Sequence, residues 1–393
     1  MFGKYWKSKL SSRSRDSSVS DLSNDDDHRI NVQLTPYEKN EIKRFNKDKI
    51  FYTSMLQHKL LSGYNNNGFD DKNDYYIIRK YDHIYYRYKI ISKLGNGQYG
   101  NVIHATDMKY NLPCAIKIIR NNDSYLYMCR QEIEFLIKLL NNLELGPNEK
   151  EKILLIKKEF YFRNHLCIVS NLYYLNLYQY QTKFGRLPLK NIKSVVKDLF
   201  LGLKYLKSNN IIHGDLKPEN IFFYDNMCEN VVIGDFGLSL YNNHIKTNNN
   251  IQSMWYRAPE IVFNVPFDFS VDIWSLGSII YEIIQSKELF RAKNDMHLLI
   301  VFHEVLGIPS LEFVESHPKI SRFYDNSGYP KNIYINGKIR TPGDKPIPTD
   351  MPLYNIIIGC LQWDKHKRID YDKAIEILDE EFIKKNNEKS NIF

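Results

Sequence analysis

Between Lys89 and about residue 171 the chain is written in short runs of β-branched and aromatic residues, whereas after Leu189 its apolar residues fall three and four apart. That switch of period, from about two residues to about 3.6, limits the possible folds more than any other feature. Strands are expected at Tyr88 to Leu94, Gly100 to Ala105, Cys114 to Ile119 and Leu166 to Ser170, with one helix near Tyr127 to Leu140. Helices are then expected at Ile192 to Ser208, Ser270 to Ile284, Met296 to Leu306 and Leu353 to Leu361. No internal repeat is visible. The pattern implies an α+β chain, with a small β-rich lobe followed by a larger helical one.

The 393 residues exceed one average domain, and 43% hydrophobic with 25% charged residues is the balance of a globular protein with a real core. Five scattered cysteines form no C-x-x-C pair, which argues against a disulfide framework or a zinc site. No apolar run approaches the roughly 18 residues of a membrane span, and the charged N-terminus lacks a signal core. An intracellular, non-membrane protein is therefore expected, cytoplasmic or nuclear and monomeric. The formal charge of +8 has no basic run with interleaved aromatics behind it, so it reads as solvated lysines and not as a nucleic-acid surface.

Residues 1–33, with Ser11-Ser12-Arg13-Ser14-Arg15-Asp16-Ser17-Ser18 and Asp25-Asp26-Asp27, lack apolar periodicity and read as disordered. Thr35-Pro36-Tyr37-Glu38 opens a helix, Asn65-Asn66-Asn67-Gly68 is a loop, and the stretch ending Tyr85-Tyr86-Arg87-Tyr88 is strand-like.

The chemistry lies in a few blocks. Leu94-Gly95-Asn96-Gly97-Gln98-Tyr99-Gly100-Asn101-Val102 joins two expected strands, where glycines let backbone N–H groups approach phosphates. A strand follows it, which disfavours a Rossmann fingerprint, since that should open a helix. Lys117 interrupts the apolar run Ala115-Ile116-Lys117, and Glu132 lies on the following helix as a candidate partner. Glu134 is the rival; two residues turn a helix by roughly 200°, so only one of the two can face the lysine. His213-Gly214-Asp215-Leu216-Lys217-Pro218-Glu219-Asn220, then Gly234-Asp235-Phe236-Gly237 and Ala258-Pro259-Glu260, complete the set. A carboxylate to take a hydroxyl proton, a lysine to neutralise a moving phosphoryl group, and Asn220 with Asp235 as oxygen donors for Mg2+ suit phosphoryl transfer.

In this order the blocks resemble the eukaryotic protein kinases, from about Tyr88 to Phe382. The resemblance implies ATP and Mg2+ as cofactors and protein substrates as partners. It makes Asp215 the catalytic base, Lys217 a phosphate stabiliser, Lys117 the α/β-phosphate anchor held by Glu132, and Asn220 and Asp235 the metal ligands. Gly95, Asn96, Gly97 and Gly100 would cover the phosphates. Leu94, Val102 and Ala115 would cover the adenine, with Phe222 as its floor. Ser170 would be the gatekeeper before a hinge of Asn171, Leu172 and Tyr173. Asp272 and Arg368 would be structural, Arg368 pairing with Glu260.

Further fragments resemble the DYRK branch of the CMGC kinases, and its class II in particular. These are Gly214 in place of the usual catalytic-loop arginine, the run Ile251-Gln252-Ser253-Met254-Trp255-Tyr256-Arg257-Ala258-Pro259-Glu260, and the insert Arg322-Phe323-Tyr324-Asp325-Asn326-Ser327-Gly328-Tyr329-Pro330-Lys331. Upstream, Leu34 to Glu38, Asn66 to Asp71 and Tyr81 to Tyr88 are similar to the accessory region and DH box of that class. The implied organisation is a tail at 1–33, an accessory region at 34–87, a small lobe at 88–171, and a large lobe at 172–386 with an insert near 315–350. Serine/threonine transfer, often before proline and with dual specificity, is the implied activity; the alternative is a scaffold that binds ATP or partners without transfer.

Two departures stand out. Where the family has its activation-loop tyrosines, this chain reads Thr247-Asn248-Asn249-Asn250, and Met254 replaces a phosphate-binding arginine. A loop held by packing and neutral hydrogen bonds, through Gln252, is expected instead; the alternative is that Thr247 or Ser239 takes over as acceptor. Ser170 stands where the family usually has phenylalanine, which should open a pocket behind the adenine, with Gly234 widening it further.

Overall fold

The computed structural model of the chain describes residues 34–54, 65–141, 147–242 and 251–390. The 1–33 tail and the Thr247-Asn250 segment lie outside the described residues. Six strands, β1 His83–Ile84, β2 Tyr88–Gly97, β3 Gly100–Asp107, β4 Leu112–Ile119, β5 Ile156–Phe162 and β6 His165–Asn171, form one antiparallel sheet in the order β1-β2-β3-β4-β6-β5. The sequence pattern missed β5 because Lys157, Lys158 and Glu159 interrupt its alternation, and its register slips between Ile156 and Lys158.

Alternation along the strands splits the sheet into two faces. Ile103, Ala105, Cys114, Ile116, Ile118, Cys167 and Val169 point to one side, buried in a cluster with Leu34, Phe69, Tyr76, Ile84 and Tyr86. The described residues of 34–54 and 65–87 thus cover that side of the sheet. The other side carries Val102, Ala115 and Lys117, each only half-buried. Helix α1, Pro36–Glu41, begins at a capping box: Thr35 Oγ1 accepts from the Glu38 amide at 3.2 Å, and Glu38 Oε2 accepts from the Thr35 amide at 3.0 Å.

The strand expected through Tyr85 and Tyr86 is instead a turn. Both residues have left-handed φ, 57° and 50°, and they link β1 to β2. Their β propensity is overridden by packing. Each ring lies 4.9 Å from Phe45, and the Tyr86 hydroxyl donates to Glu41 at 2.7 Å. Arg163, in the β5–β6 turn, is buried against the same layer. Its guanidinium donates to Glu38 at 3.0 Å, to Glu41 at 2.9 Å and to the Tyr76 hydroxyl at 3.0 Å, and lies 3.8 Å from the centre of the Phe69 ring.

Helix α2, Asp123–Asn141, is longer than its sequence pattern and packs on the sheet side that carries Lys117, which meets its Glu132. Beyond the sheet follow α3 Leu177–Phe184, α4 Leu189–Ser208, α5 Ser270–Gln285 and α6 Asp295–Leu306, with a large core around Trp274. Small ladders β7 Ile211–Ile212 with β10 Leu240–Tyr241, and β8 Ile221–Phe223 with β9 Val231–Ile233, lie between them. Arg368 and Glu260 form the expected bidentate pair, at 2.6 and 2.7 Å.

Within this core burial pushes the Glu282 carboxyl up to about 7, while the Tyr256 hydroxyl donates to it at 2.7 Å. An acid with a raised folded-state pKa stays protonated in the fold after the unfolded chain has ionised, so stability falls as pH rises from about 4.5 to 7 and stays low above that. Glu282→Gln should flatten that decline and stabilise the protein at pH 8 by roughly 1–3 kcal/mol. Thermal melts at pH 5 and 8 check this; a variant that falls with pH as steeply as the parent rules it out.

Candidate active site

The hairpin between β2 and β3 pairs Gly97 with Gly100 at its tip. Gly100 is required by a close backbone approach, since a Cβ there would lie 2.1 Å from the Ile118 carbonyl oxygen. Gly95 and Gly97 differ from it. A Cβ on Gly95 would meet nothing within 4 Å, and one on Gly97 only the Gly100 carbonyl at 3.8 Å. Packing within the protein does not require these two glycines, and the space beside their backbone is open.

On β4, Ala115 and Lys117 share a face because they are two residues apart. Val102 of β3 sits opposite Lys117, and Ser170 of β6 opposite Ala115. Lys117 Nζ contacts Glu132 Oε1 and Oε2 at 3.0 and 2.8 Å, so the helix face presents Glu132 and leaves Glu134 outside. Asp235 Oδ1 lies 3.8 Å from the same ammonium. Burial pulls the Lys117 pKa down, but the two carboxylates more than offset this and hold it above the usual lysine range. The lysine is charged at any physiological pH.

The second half of the site is the loop after β7. Asp272 accepts from the His213 and Gly214 amides at 2.7 and 3.0 Å, which pins the backbone just before Asp215. Gly214 has φ +74°, and a Cβ on it would lie 2.8 Å from the Leu238 carbonyl oxygen. His213 Nδ1 accepts from the Asp215 amide at 3.2 Å, so Nε2 carries the proton and donates to the Gly234 carbonyl at 3.1 Å. One imidazole therefore ties the Asp215 loop to the residue before Asp235. Lys217 Nζ lies 2.6 Å from Asp215 Oδ2, and Asn220 Nδ2 donates to the Asp215 carbonyl at 2.9 Å.

Asp235 has left-handed φ, 63°, and a side chain 44% exposed. With the Asn220 amide nitrogen committed, its side-chain oxygen and the Asp235 carboxylate form an all-oxygen donor set that fits Mg2+. At the hinge, Ser170 is buried and Tyr173 packs 6.3 Å from Phe222. The Tyr174 amide donates to Phe223, fixing the hinge to β8. Leu94, expected above the adenine, is 47% exposed.

Sequence reasoning assigned no role to Ser253. Its amide and hydroxyl donate to Asp215 Oδ1 at 3.0 and 2.8 Å, and its oxygen accepts from Lys217 at 3.1 Å. Its only signal was membership of the family-like run before Ala258. Gln252, in left-handed conformation, donates to Val271 and Ser275 at 2.9 and 2.8 Å and accepts from the Ala258 amide at 2.9 Å. These are the neutral hydrogen bonds expected of it. The widening expected from Gly234 does not occur, because a Cβ there would lie 3.0 Å from both Leu154 and the Phe222 ring. Those side chains fill the room.

Residues 88–383 match the family model of the protein kinase domain. The chain is 33% identical over 355 residues to human dual specificity tyrosine-phosphorylation-regulated kinase 4, covering 88% of this chain and 67% of the relative. It is 34% identical over 317 residues to Drosophila melanogaster dual specificity tyrosine-phosphorylation-regulated kinase 2, covering 79% and 43%. To the DYRK-family kinase pom1 of Schizosaccharomyces pombe it is 32% identical over 356 residues, covering 87% and 32%. The chain thus spans two thirds or less of these relatives. Among the described residues no helix is long and apolar enough to cross a membrane. With the Lys117–Glu132 pair, an exposed Asp235 beside it and the Asp215–Lys217 pair, and with these likenesses, the chain belongs to the DYRK family of ATP-dependent protein kinases.

Proposed function

We propose that the chain transfers the γ-phosphate of ATP to serine and threonine hydroxyls of protein substrates, preferring those followed by proline. The observation that carries this is the hydrogen-bonded set Lys217–Asp215–Ser253 together with the Lys117–Glu132 pair, with Asp235 at 3.8 Å from Lys117. Asp215 orients the acceptor hydroxyl and takes its proton. Lys217 offsets charge on the transferring group, and Lys117 holds the α- and β-phosphates. Asn220 and Asp235 would hold Mg2+, which neutralises phosphate charge when bound.

Proline preference is supported beside Ser253. The Gln252 carbonyl already accepts from Arg257 Nη2 at 3.0 Å, and Arg257 Nη1 is tied to Asp295 at 2.7 Å. A residue following the acceptor hydroxyl finds that carbonyl taken. Proline, with no N–H to satisfy, loses nothing there. The same Gln252 bonds favour an activation segment that is ordered without phosphotyrosine.

Phosphorylation of a degenerate peptide library by the purified chain tests the proposal. Transfer to serine and threonine, enriched for proline after the acceptor, is expected; no transfer with ATP and Mg2+ would make the chain a scaffold. Stoichiometric phosphate on Tyr241 in mass spectra would refute the phosphotyrosine-independent segment. Ser170→Phe should weaken ATP-competitive compounds bearing a bulky group at this position by about tenfold or more, since the ring would refill the pocket. Unchanged affinity would show that no such pocket opens.

A further inference from the structure

The glycine hairpin is not a free flap. Tyr75, in the 34–87 layer, donates its hydroxyl to the Gly97 carbonyl at 3.0 Å. Arg120, just beyond β4, donates from its amide to the Tyr99 carbonyl at 2.9 Å and from Nε to the Asn73 carbonyl at 2.9 Å. Its guanidinium lies between two rings, 4.5 Å from Tyr75 and 4.6 Å from Tyr125 in the first turn of α2. Tyr125 in turn meets Tyr99 edge-on at 6.0 Å. The next residue completes the tie, as the Asn121 amide donates to Asp74 at 3.0 Å and its side chain to Asp70 at 3.0 Å.

We infer that Tyr75 and Arg120 are positioning residues for ATP, which make residues 70–75 of the accessory layer a strut that holds the hairpin tip over the phosphates. This rests on reading that hairpin as the cover of the triphosphate. The physical argument is one of preorganisation. A hairpin already fixed at Gly97 and Tyr99 loses less freedom when its amides close on a ligand than an untethered one. Arginine suits the hub because its planar fork bonds carbonyls while its faces stack on rings, which a lysine cannot do.

The loss should appear in nucleotide affinity and not in turnover, because bound phosphates re-order the hairpin at saturation. The experiment compares the full chain with Tyr75→Phe, which removes only the hydroxyl, with Arg120→Lys, and with Tyr52→Phe. Tyr52 is a control: its hydroxyl donates at 2.8 Å to the Tyr81 carbonyl in the same layer, away from the hairpin. Steady-state kinetics with a peptide acceptor and calorimetric titration with ATP are read together with melting temperature. Tyr75→Phe should raise both KM and Kd for ATP about three- to tenfold with kcat within twofold, and Arg120→Lys by at least as much. Tyr52→Phe should leave both constants unchanged. ATP affinity unaltered in Tyr75→Phe and Arg120→Lys, or a fall in melting temperature and kcat alone, overturns the inference. A parent chain that binds ATP but transfers no phosphate sinks the proposed transfer instead, and the Kd values still decide the strut.

Discussion

Asp215→Asn is expected to lower kcat for peptide phosphorylation by ~10²–10⁴-fold, the range for loss of a general base. Asparagine is nearly isosteric, and the backbone around residue 215 is held independently by Asp272, through the His213 and Gly214 amides. The Ser253 amide can still donate to the remaining side-chain oxygen. What disappears is the proton acceptor and the negative partner of Lys217, now 2.6 Å away. Melting temperature and ATP affinity should therefore stay close to those of the parent while labelled phosphate no longer enters a basic protein substrate. Retention of more than about a tenth of the parent rate would remove Asp215 from the role of base.

Arg163→Ala is expected to destabilise the protein by about 3–5 kcal/mol, the penalty for removing one partner of a buried ion pair. The guanidinium is fully buried and serves Glu38, Glu41 and Tyr76 at once, so alanine removes the cation that neutralises both carboxylates under the aromatic layer. Because these partners belong to the 34–87 region and Arg163 to the β5–β6 turn, loosening should begin at that contact. Hydrogen exchange ought to rise first in Pro36–Glu41 and around Tyr76, ahead of the helical lobe. Exchange that rises evenly through the molecule, or a loss below about 1 kcal/mol, would mean the layer does not depend on this arginine.

Local pattern carried far in this chain. Short β-like runs located four strands, and helical phase allowed only one of Glu132 and Glu134 to face Lys117; the 2.8 Å contact falls to Glu132, the expected partner. Where local pattern failed, non-local packing or charges within a strand were the cause. The Tyr85-Tyr86 turn is held by Phe45, far back in the chain, and β5 carries charges that strand propensity discounts. Ser253 shows no periodicity or motif of its own; only the approach of its loop to Asp215 gives it a role.

Residue order along the chain thus specified the chemistry, because each catalytic block is short and its spacing obeys strand, turn or helix geometry. Which side of the sheet is covered, which glycines have room beside them and which arginine bridges the layers depended on segments distant in sequence meeting in space. Burial and ion pairing are properties of those meetings, and no window of neighbouring residues contains them.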